Sequence, residues 1–473
     1  MTALLTLLAL LAPRGAPPPA VEQPVEVVDE DAPEPEIQAA PEPPAVDAEG
    51  RPVPRVELVF IDVGDDAYSL YGHAAILAVT DPAAPIGDAE LFNFGVTAFG
   101  DTDYVRDFLG GRVEFWGDSR PYARQLARWK REDRTVVRAV IDLDRDVAAR
   151  LIDQLRHDIE PERRNYVYDT FRDNCSTRLR DYLDRYTGGA VYAALGTVET
   201  ARSYRDDVRV AYAGLAPLLA LTEVVPGPEL DRVRTPWELA YLPAALMSGL
   251  RMVTTARGPL LGEAIVEYTR VGGDPREGWP HIGQAIIAAF ALVTLLLALL
   301  APRFGPRLRG ALLAAWALGS AGLGLVLVAI GLGSAWPDMQ RNALLVACPP
   351  TDLLLLVPAV ALWRRRPAGG PVARAYLAAR AVTTLVLIAL TPLGGAFAGP
   401  WPARLLALAG VALAWRALGR APVEVEARPR RLLGNQTGPF PAASAQRTSR
   451  TNSHLYSRVG AGSLGDLATE GRK

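Results

Sequence analysis

The chain has 473 residues, which is enough for one or two ordinary domains and some additional segments. Its 50 Lys and Arg residues nearly balance its 52 Asp and Glu residues, so the composition argues against a nucleic-acid-binding protein. The balance conceals a division, because the first half is charged whereas residues 283–418 consist mainly of Leu, Ala, Val and Gly. This pattern is typical of a soluble segment joined to one embedded in a bilayer.

The first 54 residues are not expected to belong to a folded domain. Residues 1–20 contain a short apolar run followed by small residues, which predicts a secretory signal peptide. Residues 21–54 are rich in Pro, Ala, Glu and Asp. Such a segment cannot bury a core, so we expect a disordered, acidic linker.

Residues 55–255 mix strand and helix patterns and predict one α+β domain. Apolar β-prone segments predict strands at 56–63, 73–80, 91–94 and 135–143. Helical patterns are found at 103–109, 146–159 and 171–186. The third helix is the clearest, with Asp173 as its expected N-cap and Gly188 and Gly189 at its end.

A connector at 256–282 leads to a predicted membrane domain over residues 283–418. Its five hydrophobic runs lie at 283–301, 310–332, 343–363, 376–396 and 401–417. The loops after the first, third and fifth runs are rich in Arg, which the positive-inside rule assigns to the cytoplasm. An odd number of spans then places the α+β domain in the periplasm of a bacterial inner-membrane protein, and the polar tail at 419–473 is predicted to be disordered and cytoplasmic. Buried helices of a soluble domain are the alternative.

Two residues in the α+β domain are suited to nucleophilic chemistry. Cys175 lies at a predicted helix start, where free N–H groups and the helix dipole favour a thiolate. His73 begins an apolar strand, where one edge of its ring could face a site. Taken alone, His73 fits a structural histidine better than a catalytic one, and the alternative for Cys175 is a small core residue at a helix start. The second cysteine, Cys348, lies in the predicted membrane domain, so no disulfide is expected.

Other kinds of site find little support in the sequence. Metal-ligand spacings do not occur, nor does a phosphate-binding glycine loop, so neither a metal nor another cofactor is expected. A Gly-x-Ser-x-Gly elbow is also missing from residues 55–255.

Several short motifs, in order over residues 56–250, resemble the Lnb-type lipoprotein N-acyltransferases. They are Tyr71-Gly72-His73-Ala74-Ala75, Leu91-Phe92-Asn93-Phe94-Gly95, Phe108-Leu109-Gly110-Gly111, Asp173-Asn174-Cys175-Ser176-Thr177-Arg178, Ser203-Tyr204-Arg205 and Thr235-Pro236-Trp237-Glu238. The order of His73 before Cys175 is also similar to that of permuted papain-like (NlpC-type) thiol enzymes.

The resemblance implies a dyad of Cys175 and His73 in a permuted papain-like domain. By the same analogy Asn93 is expected to orient His73, and Asn174 and Tyr71 are further candidates for orienting or oxyanion roles. The implied activity moves an acyl chain from a phospholipid, through a Cys175 thioester, to the N-terminal amine of a lipoprotein.

Two more residues are candidates for substrate binding. Arg178 could bind lipid phosphate, although an exposed helix residue is the simpler interpretation. Asp352 lies inside the third hydrophobic run, where carboxylates often have a function, but Pro349 and Pro350 predict a helix break there that could make its role structural. The alternatives to a transferase are a hydrolase of the same fold, acting on peptides, amides or lipid esters, and a non-catalytic envelope module.

Overall fold

The structure is a computed structural model, and it describes residues 54–81, 83–97 and 102–419. The predicted signal peptide, nearly all of the predicted linker and the predicted tail beyond Gly419 lie outside these residues.

A seven-stranded antiparallel sheet is the framework of the soluble domain, with strand order β6-β4-β3-β2-β1-β5-β9. Its strands are β1 (Arg55–Ile61), β2 (His73–Val79), β3 (Glu90–Val96), β4 (Glu114–Pro121), β5 (Val136–Ile141), β6 (Asn165–Val167) and β9 (Leu261–Tyr268). A short hairpin consists of β7 (Thr254–Thr255) and β8 (Gly258–Pro259). The predicted strands correspond to β1, β2, β3 and β5, and β9 adds an edge strand from the stretch predicted as a connector.

Helices lie between and after these strands. Those of the soluble domain are α1 (Thr102–Leu109), α2 (Tyr122–Arg131), α3 (Arg145–Asp158), α4 (Cys175–Tyr186), α5 (Ala190–Leu195), α6 (Tyr204–Ala211), α7 (Ala216–Val224), α8 (Pro236–Leu239) and α9 (Pro243–Leu250). The C-terminal helices are α10 (Ile282–Leu300), α11 (Pro306–Gly333), α12 (Leu344–Ala347), α13 (Leu356–Trp363), α14 (Pro371–Leu390) and α15 (Trp401–Leu418). Mixed strands and helices confirm the α+β class, whereas nothing in the fold tests the papain-like permutation.

Helices cover both faces of the sheet. Ile76 and Phe92 belong to a core shared with α3, α4 and α9. Leu77 and Leu91 point to the opposite face, where they pack with Trp129 of α2. Because successive residues of a strand point to opposite faces, burial on both sides explains why β1 and β2 are almost continuously apolar. The sheet is therefore a rigid layer inside the domain.

Among the described residues, four helical segments have the length and apolar character needed to cross a bilayer. They are Ile282–Arg303, Pro306–Gly333, Pro337–Trp363 and Pro371–Leu393. The fifth predicted run forms α15, which contains Arg404 and Arg416 and is not one of the four, so the predicted count of five spans is not confirmed. The third segment breaks between α12 and α13, where Pro349 and Pro350 stand, as the sequence predicted.

The ends of the helices alternate between two sides of the bundle. The loop 334–342 contacts the soluble domain, because the N–H of Ala335 donates to the carbonyl of Gly110. The turn 395–397 also lies against the domain, at residues 228–231. The Arg-rich turns around Arg303 and Arg365 are therefore at the ends of the helices that point away from the soluble domain.

Candidate active site

Cys175 is the first residue of α4, one position after the cap. The predicted cap, Asp173, is wrong by one residue, because the Oδ1 atom of Asn174 accepts the N–H groups of Ser176 and Thr177 at 2.9 Å each. The hydroxyl of Thr177 accepts the N–H of Asn174 in return, at 2.8 Å, which completes a capping box. The cap fixes the helix start and, with it, the direction in which Cys175 leaves the backbone.

Cys175 is a half-buried residue, and the surroundings of its thiol favour the thiolate. Burial by itself raises the thiol pKa. The charge and hydrogen bond of His73 lower it, as do the backbone N–H of Ala74 and the hydroxyl of Ser176. The lowering influences prevail, so the pKa of Cys175 lies below that of an ordinary thiol. Cys175 is therefore suited to act as a nucleophile.

The imidazole of His73 is oriented by a hydrogen bond with the side chain of Asn93. Its Nε2 atom lies 3.1 Å from the Oδ1 atom of Asn93. An amide oxygen only accepts, so Nε2 carries the hydrogen and Nδ1 is the nitrogen able to exchange a proton with Cys175. The ring of Trp129 lies 6.3 Å from the imidazole, measured between ring centres, and limits its movement. The structure thus brings together the predicted nucleophile, base and orienting amide.

Gly95 borders the dyad at a bulge in β3. The pairing of β3 with β4 shifts register between Phe94 and Val96, and Gly95 has a φ of +108°. A Cβ at this position would lie 3.7 Å from the Cβ of Cys175 and 4.0 Å from the Cε1 of His73. No role for Gly95 is predicted from the motif that contains it, although a glycine inside a strand pattern is a signal for a bulge. The bare Cα leaves space beside both reacting groups.

Asn174 and Tyr71, the other orienting candidates, have structural contacts. The Nδ2 atom of Asn174 donates to the carbonyls of Thr170 and Tyr241, at 2.8 and 3.0 Å. Both of its amide hydrogens are then engaged by these carbonyls, and the oxyanion role of Asn174 stays a prediction. Tyr71 packs edge-on against Tyr212, and its burial raises its pKa well above the ordinary phenol value. Neither residue is needed to complete the dyad.

Both substrate-binding candidates are engaged by other side chains. Arg178 forms two hydrogen bonds with Asp173, at 2.7 and 3.0 Å, and stacks on the ring of Tyr166. Asp352 is 1% exposed and forms an ion pair with Arg380 inside the helical bundle. Each has a structural explanation, and neither is free to receive a ligand in this state.

A metal site finds no support in the part of the chain that the structure describes, since no group of three or more His, Cys, Asp or Glu side chains is placed to hold an ion. The chemistry of the site is that of Cys175, His73 and Asn93. A polarised thiol beside an oriented imidazole can attack a carbonyl carbon and transfer protons to and from it.

A soluble domain with such a site, continued into helices long enough to cross a bilayer, defines a membrane protein with a thiol–histidine domain. Residues 51–211 match the family model described as the Lnb N-terminal periplasmic domain. The match confirms the family predicted from the motifs: residues 51–211 are an Lnb-type periplasmic domain, and they include His73, Asn93 and Cys175. No curated protein and no solved structure matches the chain.

Proposed function

We propose that the protein is a membrane-bound thiol acyltransferase. It would move an acyl chain from a phospholipid, through a thioester on Cys175, to the N-terminal amine of a lipoprotein. The observation that carries the proposal is the arrangement of Cys175, His73 and Asn93, in which the thiol pKa is lowered and the imidazole is oriented. The match to the Lnb-type periplasmic domain supports the same class of activity.

The first half-reaction forms the acyl-enzyme. His73 takes the thiol proton, and the Cys175 thiolate attacks the ester carbonyl of the phospholipid. A C–S bond forms, the ester C–O bond breaks, and the leaving alkoxide receives the proton from His73 as a lysophospholipid. The backbone N–H of Ala74, which already interacts with the sulfur, is available to stabilise negative charge beside it.

The second half-reaction transfers the acyl group to an amine. The lipoprotein α-amine attacks the thioester carbonyl, His73 accepts a proton from the nitrogen, and the C–S bond breaks as the amide forms. Cys175 leaves as a thiolate beside a protonated His73, and return of that proton to the sulfur restores the starting thiol and imidazole. This reaction scheme uses no cofactor, because the acyl group enters as an ester and leaves as an amide.

The helical bundle supports this choice of substrates. Both the phospholipid and a lipid-modified protein are confined to the membrane, so an enzyme held at the same surface meets them at a high effective concentration. Docking of the loop 334–342 on the soluble domain keeps that domain beside the bundle. A hydrolase of soluble peptides would gain nothing from this arrangement.

Mass spectrometry of lipoprotein N-termini tests the proposal. The full chain is expressed in a strain that lacks its own lipoprotein N-acyltransferase, alongside Cys175→Ser and the control Cys348→Ser, which removes the buried cysteine of the bundle. We expect N-acylated lipoproteins with the wild type and with Cys348→Ser but not with Cys175→Ser. N-acylation that survives Cys175→Ser would overturn the proposal. If lipoproteins are unchanged but fatty acid or cell-wall fragments are released in a Cys175-dependent way, the protein is a hydrolase. If no effect depends on Cys175, it is a non-catalytic module.

A further inference from the structure

The loop 334–342, between the second and third membrane segments, forms part of the wall of the catalytic domain. The indole N–H of Trp336 donates to the carbonyl of Tyr168 at 3.4 Å. The same ring packs edge-on against Phe108, with the ring centres 4.7 Å apart. Tyr168 begins the segment that leads to Cys175, so a loop of the membrane domain contacts the approach to the nucleophile.

Asp338 is a buried charged residue of this loop. It is 2% exposed, and its carboxylate accepts two hydrogen bonds from Arg172, at 2.6 and 3.0 Å. Its backbone carbonyl accepts the N–H of Gly227 at 2.6 Å. The bidentate contact with Arg172 is more than a surface ion pair, because the buried carboxylate of Asp338 would be costly to leave unpaired.

Arg172 lies in the turn 169–174, which carries the cap of α4. Asp169 and Asp173 exchange two backbone hydrogen bonds of 3.0 Å each across this turn. The carboxylate of Asp169 accepts the backbone N–H of Arg172 and also bonds its guanidinium. Asn174, the last residue of the turn, caps the helix that begins with Cys175. Asp338 therefore contacts the middle of the turn that places the nucleophile.

We propose that Asp338 is a positioning residue, which acts through Arg172 to hold the Cys175 thiol beside His73 and Ala74. The thiolate is stabilised by the His73 charge and by the Ala74 N–H, and both interactions weaken steeply with distance. A turn released from Asp338 would let the start of α4 move away from β2. The membrane domain is thus a component of the catalytic site as well as an anchor. This inference rests on the proposed thiol chemistry, but not on the identity of the acyl donor or acceptor.

The test measures how fast iodoacetamide alkylates Cys175 as a function of pH, in the full chain reconstituted in lipid nanodiscs, with the labelled peptide quantified by mass spectrometry. The variants are Asp338→Asn, Arg172→Gln and the double variant. The matched control is Glu223→Gln, because Glu223 is also buried and also bidentate with an arginine, Arg209, but does not contact the turn 169–174.

We expect Asp338→Asn and Arg172→Gln each to raise the apparent thiol pKa by about one unit, which slows alkylation by roughly tenfold at pH values below the wild-type thiol pKa. The double variant should be no slower than Arg172→Gln alone, because both substitutions remove the Arg172–Asp338 contact and only Arg172→Gln also removes the bond to Asp169. Glu223→Gln should keep the wild-type pH profile. If the variants acted only by lowering the stability of the protein, Glu223→Gln should slow alkylation as much as they do. If Asp338 and Arg172 position the thiol, Glu223→Gln should leave the alkylation rate unchanged.

Two outcomes would overturn the inference: a wild-type pH profile in Arg172→Gln, or losses that add in the double variant. Arg172 is 34% exposed, so its variant serves as the test if Asp338→Asn does not fold. Failure of the proposed function can be distinguished from failure of this inference, because it is seen in the wild-type protein. It is contradicted if wild-type Cys175 is alkylated no faster than Cys348.

Discussion

The Nε2 atom of His73 lies 3.1 Å from the amide oxygen of Asn93, and strand register creates this contact. Asn93 of β3 is paired with Ala75 of β2, two residues after His73, so the side chains of His73 and Asn93 lie on the same face of the sheet. A shift of one residue would turn Asn93 to the other face. Because the central strands of the sheet hold both residues, the fold itself orients the His73 imidazole.

Replacing Asn93 with Ala should slow alkylation of Cys175 on the order of ten- to a hundredfold, since the imidazole loses the partner that fixes its tautomer and orientation. The loss should be smaller than that caused by replacing His73. The rate is measured with iodoacetamide at neutral pH. Asn165→Ala, at an exposed position in β6, is the control and should match the wild type. A wild-type rate in Asn93→Ala would show that His73 does not need this hydrogen bond.

The reactivity of Cys175 should persist at pH values where an ordinary thiol is protonated. Because the pKa of Cys175 is lowered, its thiolate persists when the pH falls below the pKa of an ordinary thiol. The alkylation rate should fall only when the pH reaches the lowered pKa of Cys175. His73→Ala removes the largest lowering influence but leaves burial, which raises the pKa, so the midpoint should move upward. His157→Ala, an exposed histidine of α3, is the control. An unchanged midpoint in His73→Ala would contradict the assignment of the base.

Strands whose residues are apolar on both faces could be predicted from the sequence, and β4 could not. Residues Glu114–Pro121 contain Gly117, Asp118 and a terminal proline, which weaken the apolar pattern on which a strand prediction depends. Tertiary pairing with β3 and β6 makes this segment a strand. Local propensity was overridden by the neighbours that the segment meets in the fold.

The candidate residues Cys175 and His73 could be predicted because their signals are local, whereas the contact between the soluble domain and the loop 334–342 could not. A cysteine at a helix start and a histidine at a strand start are visible in short windows, although the cap was misplaced from Asn174 to Asp173. The contact of Arg172 with Asp338 joins residues 166 positions apart. No spacing or periodicity relates two residues at that separation, so only the folded structure brings them together.

Replacing Gly95 with Ala should hinder access to Cys175. The added methyl would contact both Cys175 and His73, so long-chain acyl reagents should be slowed several-fold more than iodoacetamide. The matched control is Gly258→Ala, because Gly258 also has a positive φ, of +130°, but has open space around it. Both variants carry backbone strain, of about 1 kcal/mol or more, and only the first lies at the site. If Gly95→Ala slowed the long-chain reagent no more than iodoacetamide, relative to the wild type, a steric role for Gly95 would be ruled out.

Removing the cap of α4 should cost stability and reactivity together. Asn174→Ala loses a capping box, which corresponds to about 1–2 kcal/mol of unfolding free energy, and it releases the start of the helix that carries Cys175. Ser203→Ala is the control, since Ser203 forms the same kind of box at α6. Thermal denaturation should show a loss in both variants, and alkylation of Cys175 should fall only in Asn174→Ala. A parallel fall in both would mean that lower stability alone reduces the reactivity.

Asp352 should prove structural. Both of its oxygens are engaged, by Arg380 at 2.9 and 3.2 Å, by the hydroxyl of Tyr376 and by the hydroxyl of Ser320. Arg380 also donates to the carbonyls of Val346 and Ala347 at the end of α12, so the ion pair closes the break in the third segment. Asp352→Asn leaves a buried guanidinium without its counter-charge, at a cost of about 3–5 kcal/mol.

The melting temperature of the full chain in detergent should therefore fall sharply in Asp352→Asn. In Ser320→Ala, which removes one hydrogen bond to the same carboxylate, the loss should be only about 0.5–1.5 kcal/mol. Below the melting temperature, Cys175 should be alkylated at the wild-type rate in both variants, because neither residue contacts the turn that holds it. A stable Asp352→Asn protein that no longer acylates lipoproteins would instead identify this carboxylate as part of the substrate path, since the ion pair would then not be needed for the fold.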